Sequence, residues 1–135
     1  MADTFRVEVV AANRLVWEGE AVSLVARTTE GDIGILAHHE PVIAPLVPCA
    51  AEVTTPDGRR EVIAVDGGFL SVTLTRAALI SPFAQLAREV SQSEAEAELA
   101  EAERALENAD PDDVDDAQQR VARASAQVKA AQRAR

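Results

Sequence analysis

The run Ser91-Gln92-Ser93-Glu94-Ala95-Glu96-Ala97-Glu98-Leu99-Ala100-Glu101-Ala102-Glu103-Arg104-Ala105-Leu106-Glu107-Asn108-Ala109 marks a change of architecture, because its apolar spacing differs from everything before it. Ser91 with Glu94 three residues on forms a capping box, in which hydroxyl and carboxylate satisfy the first free backbone N–H groups of a helix. Ala95, Leu99, Ala102, Leu106 and Ala109 then recur at spacings of 4, 3, 4 and 3, a single apolar stripe along that helix. Asn108-Ala109-Asp110-Pro111 interrupts it. Asp110 is placed to cap a second helix and Pro111 to take its first position, where the missing N–H is no loss; Asp112 and Asp113 suit the positive helix end. Val114, Ala117, Val121, Ala124, Val128 and Ala131 supply the second stripe. Two amphipathic helices with a short break between them predict an antiparallel hairpin over residues 88–135.

Charge is divided between the two helices. Glu89 to Asp116 carries twelve acids and one base, Arg104, whereas Ala117 to Arg135 carries five bases, Arg120, Arg123, Lys129, Arg133 and Arg135, and no acid. The bases suit the negative end of a helix dipole and attract the acidic first helix. The stripes hold two Leu and three Val among many Ala, so the seam hides little apolar area at ~25 cal/mol per Å². Such a hairpin is a candidate two-state element.

Upstream, residues 3 to 86 read as strands and turns. Phe5, Val7 and Val9 alternate with Arg6 and Glu8, the period of two that turns one strand face to a core. Asn13-Arg14 breaks that run, and Glu18-Gly19-Glu20 is expected to be a turn between Leu15–Trp17 and Ala21–Ala26. Thr54-Thr55-Pro56-Asp57-Gly58-Arg59 is a hairpin signal, with Pro fixing φ and Gly supplying a positive one. Val62–Val65 runs into Asp66-Gly67-Gly68, expected to be a turn; Phe69 to Thr75 alternates again, and Ala77–Ile80 is a last strand stopped by Ser81-Pro82. Eight to ten short strands without helical periods between them predict a β-sandwich over residues 1–87, and with the hairpin an α+β fold.

Composition narrows the function. Aromatic content is 3%, which leaves little for base or sugar stacking, and the net charge of −10 repels phosphate backbones and anionic lipid heads. Neither nucleic acid nor direct bilayer insertion is expected: no window approaches the ~18 apolar residues of a span, and the acid-bearing start does not read as a secretory leader. Cys49 is the only cysteine, which fits a reducing compartment and a small buried apolar role. His38-His39 is the one histidine pair, expected in a turn or interface rather than on a metal. Gly31-Asp32-Ile33-Gly34 lacks the spacing of a phosphate loop, and no nucleophile elbow or paired acids stand out. No catalytic or metal residue is assigned.

Glu30-Gly31-Asp32-Ile33-Gly34-Ile35-Leu36 followed by Ala37-His38-His39-Glu40-Pro41-Val42-Ile43 is similar to the segment E-G-E-L-G-I-L-P-G-H-A-P-L-L of the ATP synthase epsilon subunit family. Asp66-Gly67-Gly68-Phe69-Leu70-Ser71-Val72 resembles its S-G-G-F-L-E-V strand, and Val114-Asp115-Asp116-Ala117-Gln118 the start of its second C-terminal helix. Ala37, His38 and Glu40 depart from the family's Pro, Gly and Ala, which leaves room for a different loop shape.

The resemblance implies a non-catalytic rotor subunit at the foot of a proton-driven ATP synthase, peripheral on the cytoplasmic face of the cell membrane in the F1 sector. It implies that Glu30, Gly31, Asp32 and Ile33 face the ring of c subunits, and that His39, Pro41, Val42 and Ile43 face gamma. It further implies that the hairpin can rise and that Arg120, Arg123, Lys129, Arg133 and Arg135 meet acidic segments of the catalytic beta subunits, inhibiting hydrolysis. Some members bind ATP through I/L-D-x-x-R-A; here Val90-Ser91-Gln92-Ser93-Glu94-Ala95 puts Ser for Asp and Glu for Arg, so no ATP cofactor is expected. The residues alone also leave open a free binding module with dimerising helices, and a small β-sandwich hydrolase.

Overall fold

The computed structural model describes residues 3–134. Strands β1 (Phe5–Ala11), β2 (Arg14–Ala21), β3 (Ser23–Thr28), β4 (Gly31–Ile35), β5 (Val42–Thr54), β6 (Arg60–Val72), β7 (Arg76–Ile80) and β8 (Ala84–Leu86) precede helices α1 (Gln92–Glu107) and α2 (Val114–Arg133). Short 3-10 turns at Ala87–Glu89 and Pro111–Asp113 lead into the two helices. The α+β order of a β-sandwich followed by two helices is therefore as expected.

The strands run β2-β1-β7-β6-β5-β3-β4, with β8 added beside β6. β5 and β6 are 13 residues each and pair from Val42↔Val72 to Thr54↔Arg60, the two sides of the Pro56-Gly58 hairpin. Their register is constant, but the ladder is interrupted at Val47 and Gly67, a step at which the inward residues change parity. Val42, Leu46, Leu70 and Val72 face the core on one side of the step; Cys49, Ala51, Val53, Ile63 and Val65 face it on the other. The pair thus passes from the layer of β7, β1 and β2 into the layer of β8, β3 and β4, and the sandwich closes on itself.

Glycine makes this passage possible. Gly67 and Gly68 have φ of 76° and 101°, and a Cβ on Gly68 would lie 2.0 Å from the Ile80 carbonyl oxygen. Asp66-Gly67-Gly68 is therefore a bend inside one strand, not the expected turn between two. Glu18-Gly19-Glu20 is likewise strand interior: Gly19 pairs with Val7, and a Cβ there would come within 3.0 Å of the Trp17 ring that covers it. A tight contact, not a chain reversal, accounts for this glycine. The alternation through Thr75 stops early as well, since β6 ends at Val72 and Leu74 is exposed in the turn closed by Thr73 N–H to Arg76 O at 2.8 Å. Ser81-Pro82 ends β7, but β8 follows and completes the second layer.

The core is aliphatic, with Leu24, Ile35, Ile63, Leu70, Leu79, Val7, Val9 and Val53 enclosed. Cys49 is buried beside it, and burial pushes its thiol up. β1 pairs antiparallel with β2 and parallel with β7. That parallel pairing joins distant segments and leaves no local trace in the sequence.

In the hairpin, Ser91 Oγ accepts from Glu94 N–H at 3.3 Å and starts α1, which is the hydroxyl half of the expected capping box. Asp110 makes no side-chain cap; Pro111 opens a 3-10 turn instead, closed by Asp113 N–H to Asp110 O at 2.8 Å, and α2 begins at Val114. Val90, Ala95, Val128 and Ala131 meet between the helices with Leu99 beside them. α2 has a second apolar face, where Ala130 is enclosed by Val62, Ala64 and Ala87 with Ala50 alongside. The hairpin thus lies docked on the outer face of the layer containing the β5–β6 tip.

Candidate functional site

An apolar band crosses the outer face of the other layer. Register puts Leu15 opposite Val10, Val10 opposite Ile80, Ile80 opposite Phe69, and Phe69 opposite Pro45, one row across five strands. Leu15, Ile80 and Phe69 are 49%, 48% and 55% exposed, and Ile43 two residues along β5 is 73% exposed. Scattered apolar residues are ordinary on a surface, but an aligned row of them is the pattern of a docking face.

Of the four residues implied to face gamma, Ile43 and Pro41 are exposed and Ile43 adjoins the row. Val42 is turned against the core, as the alternation of β5 requires. His39 is half-buried, its Nδ1 2.7 Å from Glu40 O. The chain enters β5 through His38, whose φ of 65° lies in the left-handed region. The loop therefore keeps a conformation suited to the family's glycine although a histidine occupies it; His38 Nε2 is 3.1 Å from Asp3 Oδ2. The band's other members, Leu15, Val10, Ile80, Phe69 and Pro45, were missed because only strand pairing brings them together.

Glu30 lies in the β3–β4 turn, and Gly31, Asp32 and Ile33 open β4. Thr28 Oγ1 donates to Gly31 O at 2.9 Å and accepts Glu30 N–H at 3.1 Å, and Gly31 adopts φ of 117°. Glu30 and Asp32 are exposed, while Ile33 packs on the core. Arg27 Nε bonds Asp32 Oδ1 at 2.9 Å; that bond and its charge hold the Asp32 carboxyl below the usual range and raise Arg27 in return.

The basic residues of α2 divide by partner. Arg120 Nε bonds Glu98 Oε1 across the hairpin at 2.6 Å, lowering the Glu98 carboxyl. Arg123 Nε reaches Asp66 Oδ2 of the sandwich at 2.7 Å. Arg133 Nη1 lies 3.8 Å from Glu52 Oε1 and 3.5 Å from Ala50 O. Lys129 is exposed at a cleft of 380 Å³ between α2 and the sandwich, shared with Arg27, Asp32, Cys49 and Arg133. Arg135 lies outside the described residues.

The stretch matching the ATP pattern opens onto another hollow, in which Val90, Ser91, Glu94 and Ala95 are joined by Gln85, Glu89, Glu98 and Gln127. Three carboxylates and no cation line it. Among the described residues no group of three or more His, Cys, Asp or Glu is placed to hold a metal, and no helix is long and apolar enough to cross a membrane.

A β-sandwich with a broad apolar band on one face and a helical hairpin held against another defines a docking module with an appended arm. The family described as "ATP synthase, Delta/Epsilon chain, beta-sandwich domain" matches residues 4–86. A curated ATP synthase epsilon chain of Cutibacterium acnes is 43% identical over 134 residues, covering 93% of this chain and 90% of its own. That of Streptomyces griseus is 42% identical over 122 residues, covering 90% of this chain and 92% of its own. In backbone shape the chain matches one from the OSCP/F1/c-ring assembly of the Euglena gracilis mitochondrial ATP synthase, with a TM-score of 0.84, 20% identity, and coverage of 96% of this chain and 81% of that one. The chain belongs to the ATP synthase epsilon family.

Proposed function

We propose that this chain is a non-catalytic central-stalk subunit that couples rotation of a c-ring through gamma to ATP synthesis, and that its hairpin inhibits ATP hydrolysis when it leaves the sandwich. The observation that carries the docking role is the apolar row from Leu15 to Pro45 with Ile43 beside it, continuous with the segment that resembles the family's gamma contact. Glu30 at the β3–β4 turn and Asp32 at the start of β4 are the candidate c-ring contact. Residues 1–87 would form the stalk-binding domain and 88–135 the regulatory one, on the cytoplasmic face of the membrane.

Arg120, Arg123, Lys129 and Arg133 suit a transient contact with acidic segments of catalytic beta subunits. The hollow at Glu89, Glu94 and Glu98 disfavours a triphosphate, so we infer no ATP cofactor. Tight retention of ATP by the isolated chain at physiological Mg²⁺ would overturn that inference.

The test is recovery of a membrane ATPase with tagged chain, full length or ending at Arg88. Recovery by both with faster hydrolysis by the shorter form supports the stalk role and the brake together. Equal rates remove the brake, and recovery of no ATPase removes the stalk role. In the full chain, Phe69→Asp places a charge in the apolar row and is expected to abolish recovery while leaving the isolated chain folded.

A further inference from the structure

We infer that Asp66, with Glu52 as a second anchor, is a positioning residue that latches the hairpin to the sandwich by holding Arg123 and Arg133, the same cations an acidic partner would need. The latch follows from geometry; its regulatory meaning rests on the inhibitory reading proposed above.

Asp66 continues the outward alternation of β6 from Val62 and Ala64, the residues that α2 covers through Ala130. Its side chain is only 11% exposed, although Arg123, which holds it, is 48% exposed. Oδ2 lies 2.7 Å from Arg123 Nε in an ion pair, while Oδ1 is buried without a hydrogen-bond partner. Among the described residues Arg123 is the one cation within ion-pair reach of this carboxylate. A carboxylate so far removed from water depends on its partner much more than an exposed one does.

The backbone beneath fixes its position. Asp66 N–H is shared between Phe83 O at 3.0 Å and Ser81 Oγ at 3.1 Å, and Ser81 Oγ in turn donates to Phe83 O at 2.7 Å. Gly67 and Gly68 bend the strand immediately afterwards. The anchor therefore sits on a rigid part of the sandwich and the arginine on the arm that is proposed to move.

Glu52 repeats the arrangement at the C-terminal end of α2. It is 24% exposed, 3.8 Å from both Arg133 and Arg60, and Arg60 Nη2 also donates to Arg133 O at 3.2 Å. Docked, the hairpin spends Arg123 and Arg133 on the sandwich; undocked, both are free and Asp66 is exposed to water. The same charges cannot serve both contacts at once, so weakening the sandwich acids favours the released arm.

Amide hydrogen exchange of the isolated full chain tests the latch. Asp66→Asn keeps the shape and removes the charge, and is expected to speed exchange of α2 amides from Val121 to Ala131 by about tenfold while β1 and β7 are unchanged. Unchanged α2 exchange overturns the latch. If β1 loosens too, Arg123→Gln decides, because that residue lies on the arm and outside the sandwich core: faster α2 exchange supports the latch and unchanged exchange overturns it. Assembled with the ATPase, Asp66→Asn should lower hydrolysis several-fold. Faster α2 exchange with unchanged hydrolysis would leave the latch standing and refute the inhibitory reading instead.

Discussion

In the sandwich, Leu24, Ile35, Ile63, Leu70 and Leu79 are wholly enclosed, whereas the hairpin's fully covered residues are Ala102, Ala130 and Ala131. Each enclosed Leu or Ile contributes roughly 1.5–3 kcal/mol, against about 0.8 for a methyl group. The sandwich is consequently a fixed body held by its own core. The hairpin is held by small side chains and by ion pairs made outside that core, with Arg123 on Asp66 and Arg133 on Glu52. Within one chain, a strong core and a weak attachment give the proposed stalk binding and the proposed hairpin release different physical footings.

The sharpest way to break this contrast is at the bend in β6. Gly68→Ala drives a Cβ against the Ile80 carbonyl in a backbone conformation that L residues rarely adopt, and should cost the sandwich about 3 kcal/mol, measured by urea unfolding. Retained stability would mean that the long strands can bend without glycine.

Ala130→Leu probes the other side. Ala130 is fully covered and packed with Val62, Ala64 and Ala87, so the larger side chain should overpack the contact and weaken docking by about 2 kcal/mol while the urea midpoint of the sandwich holds. Faster amide exchange confined to α2 is the expected signature, and a parallel loss in β1 would mean that the two parts do not unfold separately.

His38→Gly should act in the opposite direction. It relieves a left-handed conformation at the entry to β5 and should stabilise the sandwich by about 1 kcal/mol in the same urea assay, with the exposed Asp3 contact a minor loss. No gain would indicate that the loop rearranges once the histidine is gone.

The smallest effect expected is acid sensitivity at Glu98. Its carboxyl is lowered by the hydrogen bond from Arg120, so the pair adds stability above the ordinary glutamate value of about 4.3, lost as pH falls through the lowered value of the folded chain. Exchange between α1 and α2 should therefore quicken slightly in that acid range, and Glu98→Gln should remove this component of the pH response. High salt should blunt it, because both side chains are substantially exposed.

Much of this was legible locally. The change of period at Ser91, the cap on Glu94 N–H, the Pro56-Gly58 hairpin and the alternation of β1 each depend on neighbours in the chain, and each appears where expected. The misreadings share one cause. Gly19, Gly67 and Gly68 signal turns by composition, but a glycine also serves where another atom comes too close, and Trp17 and the Ile80 carbonyl are identified only by the fold. Alanine posed the same difficulty in α2, where the stripe toward α1 was visible while Ala130 needed the sheet face of Val62 and Ala64 to give it meaning.

By itself the sequence determined the α+β order, the two helices and their division of charge, because strand and helix periods and capping are properties of consecutive residues. Only the tertiary structure decided the parallel pairing of β1 with β7, the alignment of Leu15, Val10, Ile80, Phe69 and Pro45 into one face, and the choice of Asp66 and Glu52 as partners for Arg123 and Arg133. Those facts join residues far apart in the chain, and a surface row or an ion pair exists only once folding has fixed the register between them.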